Sequence, residues 1–376
     1  MIDAERVTRT FLDLVQINSP SKQERRLADY VKGRLVDLGM QVKEDDAGEK
    51  IGGNAGNVIG FLPGTDSAAA PIFLSAHMDT VEPTDALNLV IEGDIIKTDG
   101  STILGADDKA GITAILEGYA DVLNRGIPRG DVHIIFSICE EQGLRGATQL
   151  DHSIIRGKMG YVFDTGMPVA GLIMSAPTHD SIMAEIHGKA AHAGVNPEDG
   201  ISAIVAASKA ISKMKLGRID NETTANIGRI EGGKARNIVP DTVRVSAEAR
   251  SLDNAKLDVQ TAHMKSTFEQ EAAAMGAIAD VTIKRQYFTY RWTQNDALVK
   301  IAAAASTRVG IEPKFLTAGG GSDANIYNAA GIPAMVVGTA YTGPHATSEQ
   351  ASISGLVKTS EFVAALVESA AAFSGN

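Results

Sequence analysis

The stretch Pro71-Ile72-Phe73-Leu74-Ser75-Ala76-His77-Met78-Asp79-Thr80-Val81 (residues 71–81) decides how the chain is read. Its apolar start reads as a buried strand, and His77 and Asp79 then follow with one residue between them. Side chains at i and i+2 of a strand share a face. The strand therefore finishes with an imidazole and a carboxylate side by side. In open α/β sheets, ligands gather beyond the carboxyl ends of parallel strands. A single His-x-Asp reads most simply as a hydrogen-bonded pair closing a strand; repetition of the pattern changes that reading.

The pattern recurs four times. "GADDKAG" (105–111) puts Asp107 and Asp108 at the start of a helix, where capping accounts for one acid better than for two. "CEEQGLRGA" (139–147) places Glu140 and Glu141 directly after the apolar "HIIFSI". Like charges at a buried strand end are costly unless a cation or a shared proton compensates them. "VFDTG" ends a further strand in Asp164, and "YTGPHATSEQ" places His345 in a Gly-Pro loop after "IPAMVVG". Together these ends argue for a carboxylate–imidazole metal centre. Cys139 is the only cysteine, which removes a thiolate cluster and intramolecular disulfides and suits a reducing cytoplasm.

A chain of 376 residues exceeds one ordinary core, so two domains are expected. The net charge of −11, with Lys and Arg scattered, speaks against a nucleic-acid partner. No apolar run approaches the ~20 residues of a membrane span. The start "MIDAERVTRTFLDLVQ" has no apolar signal core, so a cytoplasmic location is expected. Helix-like segments at 22–38 and 108–126 alternate with strand-like segments at 57–64, 71–77, 131–141 and 160–164, which predicts an α/β layer with a mostly parallel sheet. From about residue 177 the character changes to a β-α-β-β-α-β order, ferredoxin-like, up to about 287. The expectation is one discontinuous domain, 1–176 and 288–376, interrupted by a smaller α+β domain, 177–287. The last helix, near 355–373, should turn Leu356, Val363, Leu366, Val367 and Ala370 inward.

"SAHMDTV", "GADDKAG", "EEQGLRGA", "FDTG" and "GPHATSE" resemble, in order, the five metal-site motifs of the M20 co-catalytic zinc peptidases, and within them the peptidase T branch. The resemblance spans nearly the whole chain. It implies a zinc-exopeptidase-type catalytic domain with an inserted lid and dimerisation domain, and a homodimer formed through that lid. It assigns His77, Asp107 and Asp164 to one Zn2+ and Asp107, Glu141 and His345 to the other, with Co2+ or Mn2+ as substitutes. Glu140 would be the general base, kept off the metals, and Asp79 would orient the His77 ring. A cis bond between Asp107 and Asp108 is also implied. The implied activity is removal of the N-terminal residue from a short peptide.

In the lid, His192 of "GKAAHAGVNPEDG" matches a family histidine that reaches a partner subunit's site; alone it reads as a turn histidine. Asn237 of "ARNIVPD" and Arg250 of "AEARSLD" match substrate-binding positions, and a guanidinium suits a substrate carboxylate. Arg250 reads equally as a surface residue on a strand edge. In "GGGSDAN" (319–325), Ser322 reads as a helix cap, with Ser322 and Asp323 also candidate substrate contacts. His133, His152, His179, His187 and His263 match no ligand motif, and Cys139 reads as strand packing. Two rivals stand beside the exopeptidase: a deacylase or dipeptidase with the same metal centre, and a non-catalytic binding protein on the same fold. The second predicts a missing ligand or base, and every position here is filled by a competent residue. A serine or cysteine hydrolase lacks its G-x-S-x-G elbow.

Overall fold

The computed structural model describes residues 2–166 and 168–373. The chain forms two compact units: Met1–Met174 with Arg291–Ala318 and Ser322–Asn376, and Ser175–Tyr290 with Gly319–Gly321.

The first unit is built on a mixed sheet that is parallel at its centre. Four parallel strands lie in the order Val132–Ser137, Ile72–His77, Met159–Val162 and Ala334–Val337. Antiparallel neighbours flank them: Val58–Leu62 and then Gln41–Glu44 on one side, and Leu172 and Ile173 against Val337 and Val336 on the other. All six residues of Ile72–His77 and of Val132–Ser137 are buried, as expected for parallel strands covered on both faces. Helix Ala106–Asn124 packs on Ile72–His77 and on the helices Ala4–Val15 and Ile353–Ala371. Leu356, Val363, Leu366, Val367 and Ala370 all face this core.

The expected strand over 131–141 stops at Ser137. Beyond it the backbone N–H groups of Ile138 to Glu141 donate to side-chain oxygens, so the ladder does not continue. A second sheet in this unit was not foreseen: Tyr341–Thr342, Gln350–Ser352, Ile95–Thr98 and Leu89–Glu92, in that order. Strands of two to four residues carry too little alternation to be read from sequence. This sheet matters for position, because Tyr341 pairs with Ala351 and Thr342 with Gln350, which closes the 343–349 loop that carries His345.

In the second unit, an antiparallel sheet runs Gly217–Arg218, Thr223–Gly232, Thr242–Ser251, Thr178–His187, Ile278–Tyr287. Helices Ala203–Lys213 and Asn254–Ala274 pack on it. Without the short Gly217–Arg218 strand, this is the ferredoxin-like arrangement. Strand Thr178–His187 alternates, with Ile182, Ala184 and Ile186 in the core. A bulge between Ile227 and Arg229 shifts the register of the Thr223–Gly232 pairing. Among the described residues no helix is long and apolar enough to cross a membrane.

Where helix Ala106–Asn124 meets Ile353–Ala371, Gly118 lets the two backbones approach. A Cβ at this position would sit 2.4 Å from the Ser360 carbonyl oxygen and 2.6 Å from the Val363 Cβ. Gly118→Ala should therefore destabilise the first unit by about 1–3 kcal/mol through overpacking, despite alanine's better helix propensity. Urea denaturation should show a lower midpoint at unchanged slope; an unchanged midpoint would mean the helices part without cost.

Candidate metal centre

The side chains singled out in the sequence converge at the carboxyl ends of the parallel strands. His77 is the last residue of Ile72–His77, Glu140 and Glu141 follow Val132–Ser137, and Asp164 follows Met159–Val162. Asp107 comes from the start of helix Ala106–Asn124, where its backbone leaves helical geometry at φ −80° and ψ 104°. The Asp107–Asp108 peptide bond is cis. The two acids divide their work. Asp108 accepts from the Gly111 N–H at 3.2 Å and from the His77 N–H at 3.2 Å, the cap expected of one of the pair. Asp107 faces the centre.

Asp107 is the hub. Its Oδ1 lies 3.2 Å from His77 Nε2, and its Oδ2 lies 3.4 Å from His345 Nε2. His77 Nε2 is also 3.6 Å from Asp164 Oδ1, and His345 Nε2 is 2.9 Å from Glu141 Oε1. The residues thus fall into two triads, His77–Asp107–Asp164 and Asp107–Glu141–His345, each with donor atoms within 4.8 Å of one another. A third grouping, His77–Glu140–Glu141, satisfies the same limit and places Glu140 beside both. Among the described residues, the ion-pair partners of Asp107, Asp164 and Glu141 are imidazoles, not lysines or arginines. Glu141 Oε1 is buried, with the His345 imidazole at 2.9 Å as its ion-pair partner. Carboxylate oxygens and imidazole nitrogens, crowded and uncompensated by a fixed cation, are the donor set of a divalent metal pair.

Asp79 is tied to His77 in a way the sequence did not reveal. The ring's Nδ1–H donates to the Asp79 backbone carbonyl at 2.8 Å, while the nearer carboxylate oxygen is 3.6 Å away. The Asp79 carboxylate instead accepts from the N–H groups of Glu140 (2.8 Å) and Glu141 (3.2 Å) and from Ser21 Oγ (2.6 Å). It therefore links the imidazole to the segment bearing both glutamates.

Electrostatics follow from burial and crowding. Burial opposes a charge on His77, yet Asp107, Asp164 and Asp79 outweigh it and hold its pKa well above the ordinary value. Hydrogen bonds to Asp107 and Glu141 raise His345 to about 10. Burial pushes Asp164 up to about 7. Glu140 is likewise raised well above the carboxylate range, by burial first and then by Asp164. Asp107 is the exception: despite burial, the two imidazoles keep it below its ordinary value.

One residue that the sequence did not mark as a site residue shapes the centre. Glu349, four residues past His345, accepts from the Gly105 N–H (2.7 Å) and the Asp107 N–H (2.9 Å), fixing the peptide that carries the hub. Lys109 is buried, and its Nζ donates to the Ile17 carbonyl at 2.8 Å. The first acid in "TSEQ" after a loop histidine was the only available signal for Glu349. Asp323 is buried, accepts from Ser137 Oγ at 2.5 Å, and keeps Oδ1 without a partner among the described residues. Ser322 is the N-cap of Asp323–Ala329: its hydroxyl accepts from the Ala324 N–H, and Asn325 completes a capping box.

In the second unit, His192 and Asn237 are exposed and adjacent: the Ala193 N–H donates to the Asn237 carbonyl at 2.9 Å, and His192 bridges to Ile238. Arg250 lies elsewhere on strand Thr242–Ser251 and is already engaged, donating to Glu248 Oε2 (3.0 Å) and to the Gly319 carbonyl (3.4 Å). Of the remaining histidines, His133 is buried and its pKa is lowered to about 4 by burial. Cys139 is buried.

Imidazoles and carboxylates gathered beyond the parallel strands of an α/β unit define a metal-dependent hydrolase. The chain belongs to the peptidase family M20/M25/M40, whose description matches residues 73–369. It is 46% identical over 371 residues to the uncharacterized protein YqjE of Bacillus subtilis, covering 99% of this chain and 100% of that one. The structure is similar to the aminopeptidase PepT of Bacillus cereus, with 43% identity, a TM-score of 0.91, and coverage of 98% of this chain and 99% of that one. It is also similar to a tripeptidase of Staphylococcus aureus, at 38% identity and a TM-score of 0.95, covering 99% and 100% of the two chains.

The crowded acids set a pH dependence for the metal-free protein. Asp164 holds its proton more tightly folded than unfolded, so its contribution is full below its ordinary value of 3.8 and is lost as pH rises through about 7. His345 acts in the same direction, full below 6.5 and lost as pH rises through about 10. Asp107 opposes them only below its ordinary 3.8. Chelated protein should therefore lose Tm between roughly pH 5 and 7, where Glu24 and Glu349, also raised to about 7 by burial, add to Asp164 and outweigh the opposing His133, and saturating Zn2+ should restore most of that loss; above pH 7 the buried Lys109, lowered to about 7, opposes His345. A Tm that rises over this range in chelator would contradict the crowding.

Proposed function

We propose that this protein is a two-metal exopeptidase that removes the N-terminal residue of short peptides, in the manner of a tripeptidase. The observation that carries this reading is Asp107, whose two oxygens face two different imidazoles, each backed by its own carboxylate. His77, Asp107 and Asp164 would hold one ion, and Asp107, Glu141 and His345 the other. Zn2+ suits this donor set, and Co2+ or Mn2+ can replace it. When bound, such a pair supplies Lewis-acid polarisation of the peptide carbonyl and a water of lowered pKa.

The chain's own residues do the rest. Glu140 takes the proton of the attacking water and delivers it to the leaving amine. Its place supports this role: it belongs to neither triad, yet its carboxylate lies within 4.8 Å of donor atoms of His77 and Glu141. Asp79 keeps the His77 ring and the Glu140–Glu141 segment in register. His192, Asn237 and Arg250 are the proposed substrate contacts of the second unit, with Ser322 next to Asp323 as a fourth candidate; the Ser322 hydroxyl already serves as a helix cap. We further propose a homodimer formed through the second unit, where Val195, Val259 and Ile278 are exposed at 75%, 72% and 66%. A cytoplasmic location fits the single free thiol, Cys139.

Glu140→Ala should lower kcat on a tripeptide by about 10²–10⁴-fold while both metals stay bound, as read by hydrolysis assays and metal content on the same sample. Full activity in that variant would remove Glu140 from the mechanism. A panel of free and N-acetylated tripeptides and dipeptides, followed by mass spectrometry, identifies the bond cut. Loss of the N-terminal residue from free tripeptides is the expected result; preferential cleavage of the acetylated substrates would assign a deacylase instead.

A further inference from the structure

Glu24 is a buried acid that the hydrolytic mechanism above does not use. It lies just before helix Arg25–Asp37, is fully buried, and stands outside both metal triads. Its Oε1 accepts from the Lys22 N–H at 2.8 Å and from the Cys139 N–H at 3.1 Å, while Oε2 has no hydrogen-bond partner among the described residues. A buried carboxyl with one oxygen unmatched lowers stability. Its place in the fold is explained by what the other oxygen holds.

That oxygen belongs to a row. Past the end of strand Val132–Ser137, four successive peptide N–H groups are taken by side chains from distant segments. Ile138 donates to Asn57 Oδ1 (3.1 Å), Cys139 to Glu24 (3.1 Å), Glu140 to Asp79 Oδ1 (2.8 Å) and Glu141 to Asp79 Oδ2 (3.2 Å). Within this row Cys139 has φ +50°, a left-handed conformation that a residue with a Cβ adopts at a cost. The turn at Cys139 separates the strand from the two glutamates, so its geometry sets where they start. The Ser21–Glu24 segment reaches this loop by two routes: directly, where Glu24 accepts from Cys139, and through Asp79, which accepts from Ser21 Oγ at 2.6 Å and from the Glu140 and Glu141 N–H groups.

We infer that Glu24 is a positioning residue for hydrolysis: its carboxyl oxygen pins the left-handed peptide at Cys139 and thereby aims Glu140 at the scissile bond. The inference rests on the reading of Glu140 as the base. Glu24 acts as an acceptor, not as a charge. Burial, and then the neighbouring Asp79 carboxylate, raise its pKa to about 7, so it need not be ionised to serve. Glutamine keeps the reach and the acceptor; aspartate keeps the carboxylate and loses the reach.

The test compares Glu24→Ala, Glu24→Gln and Glu24→Asp with the unaltered protein, with Glu140→Ala alongside. Tripeptide hydrolysis is measured at saturating Zn2+, metal content is read on the same samples, and amide hydrogen exchange of the 138–141 segment is followed by mass spectrometry in chelator. Glu24→Ala and Glu24→Asp should lose at least tenfold in kcat with KM changed less than twofold and both metals retained. Exchange of the Cys139 amide should quicken at least tenfold in both. Glu24→Gln should recover most of the loss on each readout. If Glu24→Ala does not fold, the Asp and Gln pair still separates reach from charge. An active Asp variant beside an inactive Gln variant overturns the inference, as does a kcat loss that follows metal loss alone. Activity in Glu140→Ala sinks the base assignment itself, whereas an inactive Glu140→Ala beside an unaffected Glu24→Ala sinks only the positioning role.

Discussion

Asp107 imposes the constraint on which the rest of the first unit depends. One carboxylate has to face two imidazoles at once, at 3.2 and 3.4 Å, from a position that is itself almost dry. Three further acids crowd the same space, and burial raises the proton affinity of two of them, Asp164 and Glu140. A centre of this kind is tolerable only if positive charge is supplied there and if the backbone beneath each acid is held still. The first requirement is what a pair of divalent cations meets. The second is met by neighbours outside both triads: Glu349 under Asp107, Asp79 under Glu140 and Glu141, and Asp108 under His77.

The parallel sheet explains why these groups meet. Three neighbouring strands, Val132–Ser137, Ile72–His77 and Met159–Val162, run in one direction, so the residues just past their ends lie side by side. Their bodies are buried and apolar, which leaves the strand ends as the place where polar chemistry costs least. His345 reaches the same place from a different support, the loop closed by Tyr341–Thr342 and Gln350–Ser352. Its side chain is half exposed while that of His77 is buried, so the two halves of the centre differ in access to water although their donor sets match.

Much of this was legible in the sequence because the signals were local. An i, i+2 pair at a strand end, two adjacent aspartates at a helix start, and two glutamates after an apolar run are each visible within a few residues. The supports were not legible, because each rests on bonds to backbone N–H groups across a long stretch of chain. Glu349 and Asp107 are 242 residues apart, and Glu24 and Cys139 are 115 apart. Nothing in the composition around Glu24 or Glu349 distinguishes an acid that grips a peptide from one that faces solvent. Asp79 shows the same limit from the other side: the residue was legible, but its carbonyl, not its carboxylate, makes the short bond to His77. The two-to-four-residue strands of the small sheet were lost for want of length.

The second unit poses a different problem, since its candidate substrate contacts are not crowded. Arg250 was read equally as a guanidinium suited to a substrate carboxylate and as a surface residue on a strand edge. In the fold its Nη2 serves Glu248, its Nη1 serves the Gly319 carbonyl, and its Nε is buried with no hydrogen bond among the described residues. Glu248 also pairs with His179 at 3.3 Å, which anchors it to the neighbouring strand. A bidentate grip on a substrate therefore requires either the Glu248 or the Gly319 contact to yield. Glu248 binds through a charge-assisted bond, the stronger kind, whereas the 3.4 Å bond to the Gly319 carbonyl is long and neutral at the acceptor. Gly319 is also the residue at which nothing crowds a Cβ, unlike Gly321, where a Cβ would strike the Tyr287 ring at 2.3 Å. The Gly319 end of the loop is thus the part with more room, and any grip of Arg250 on a carboxylate would depend on releasing that backbone contact more than on the net charge around it.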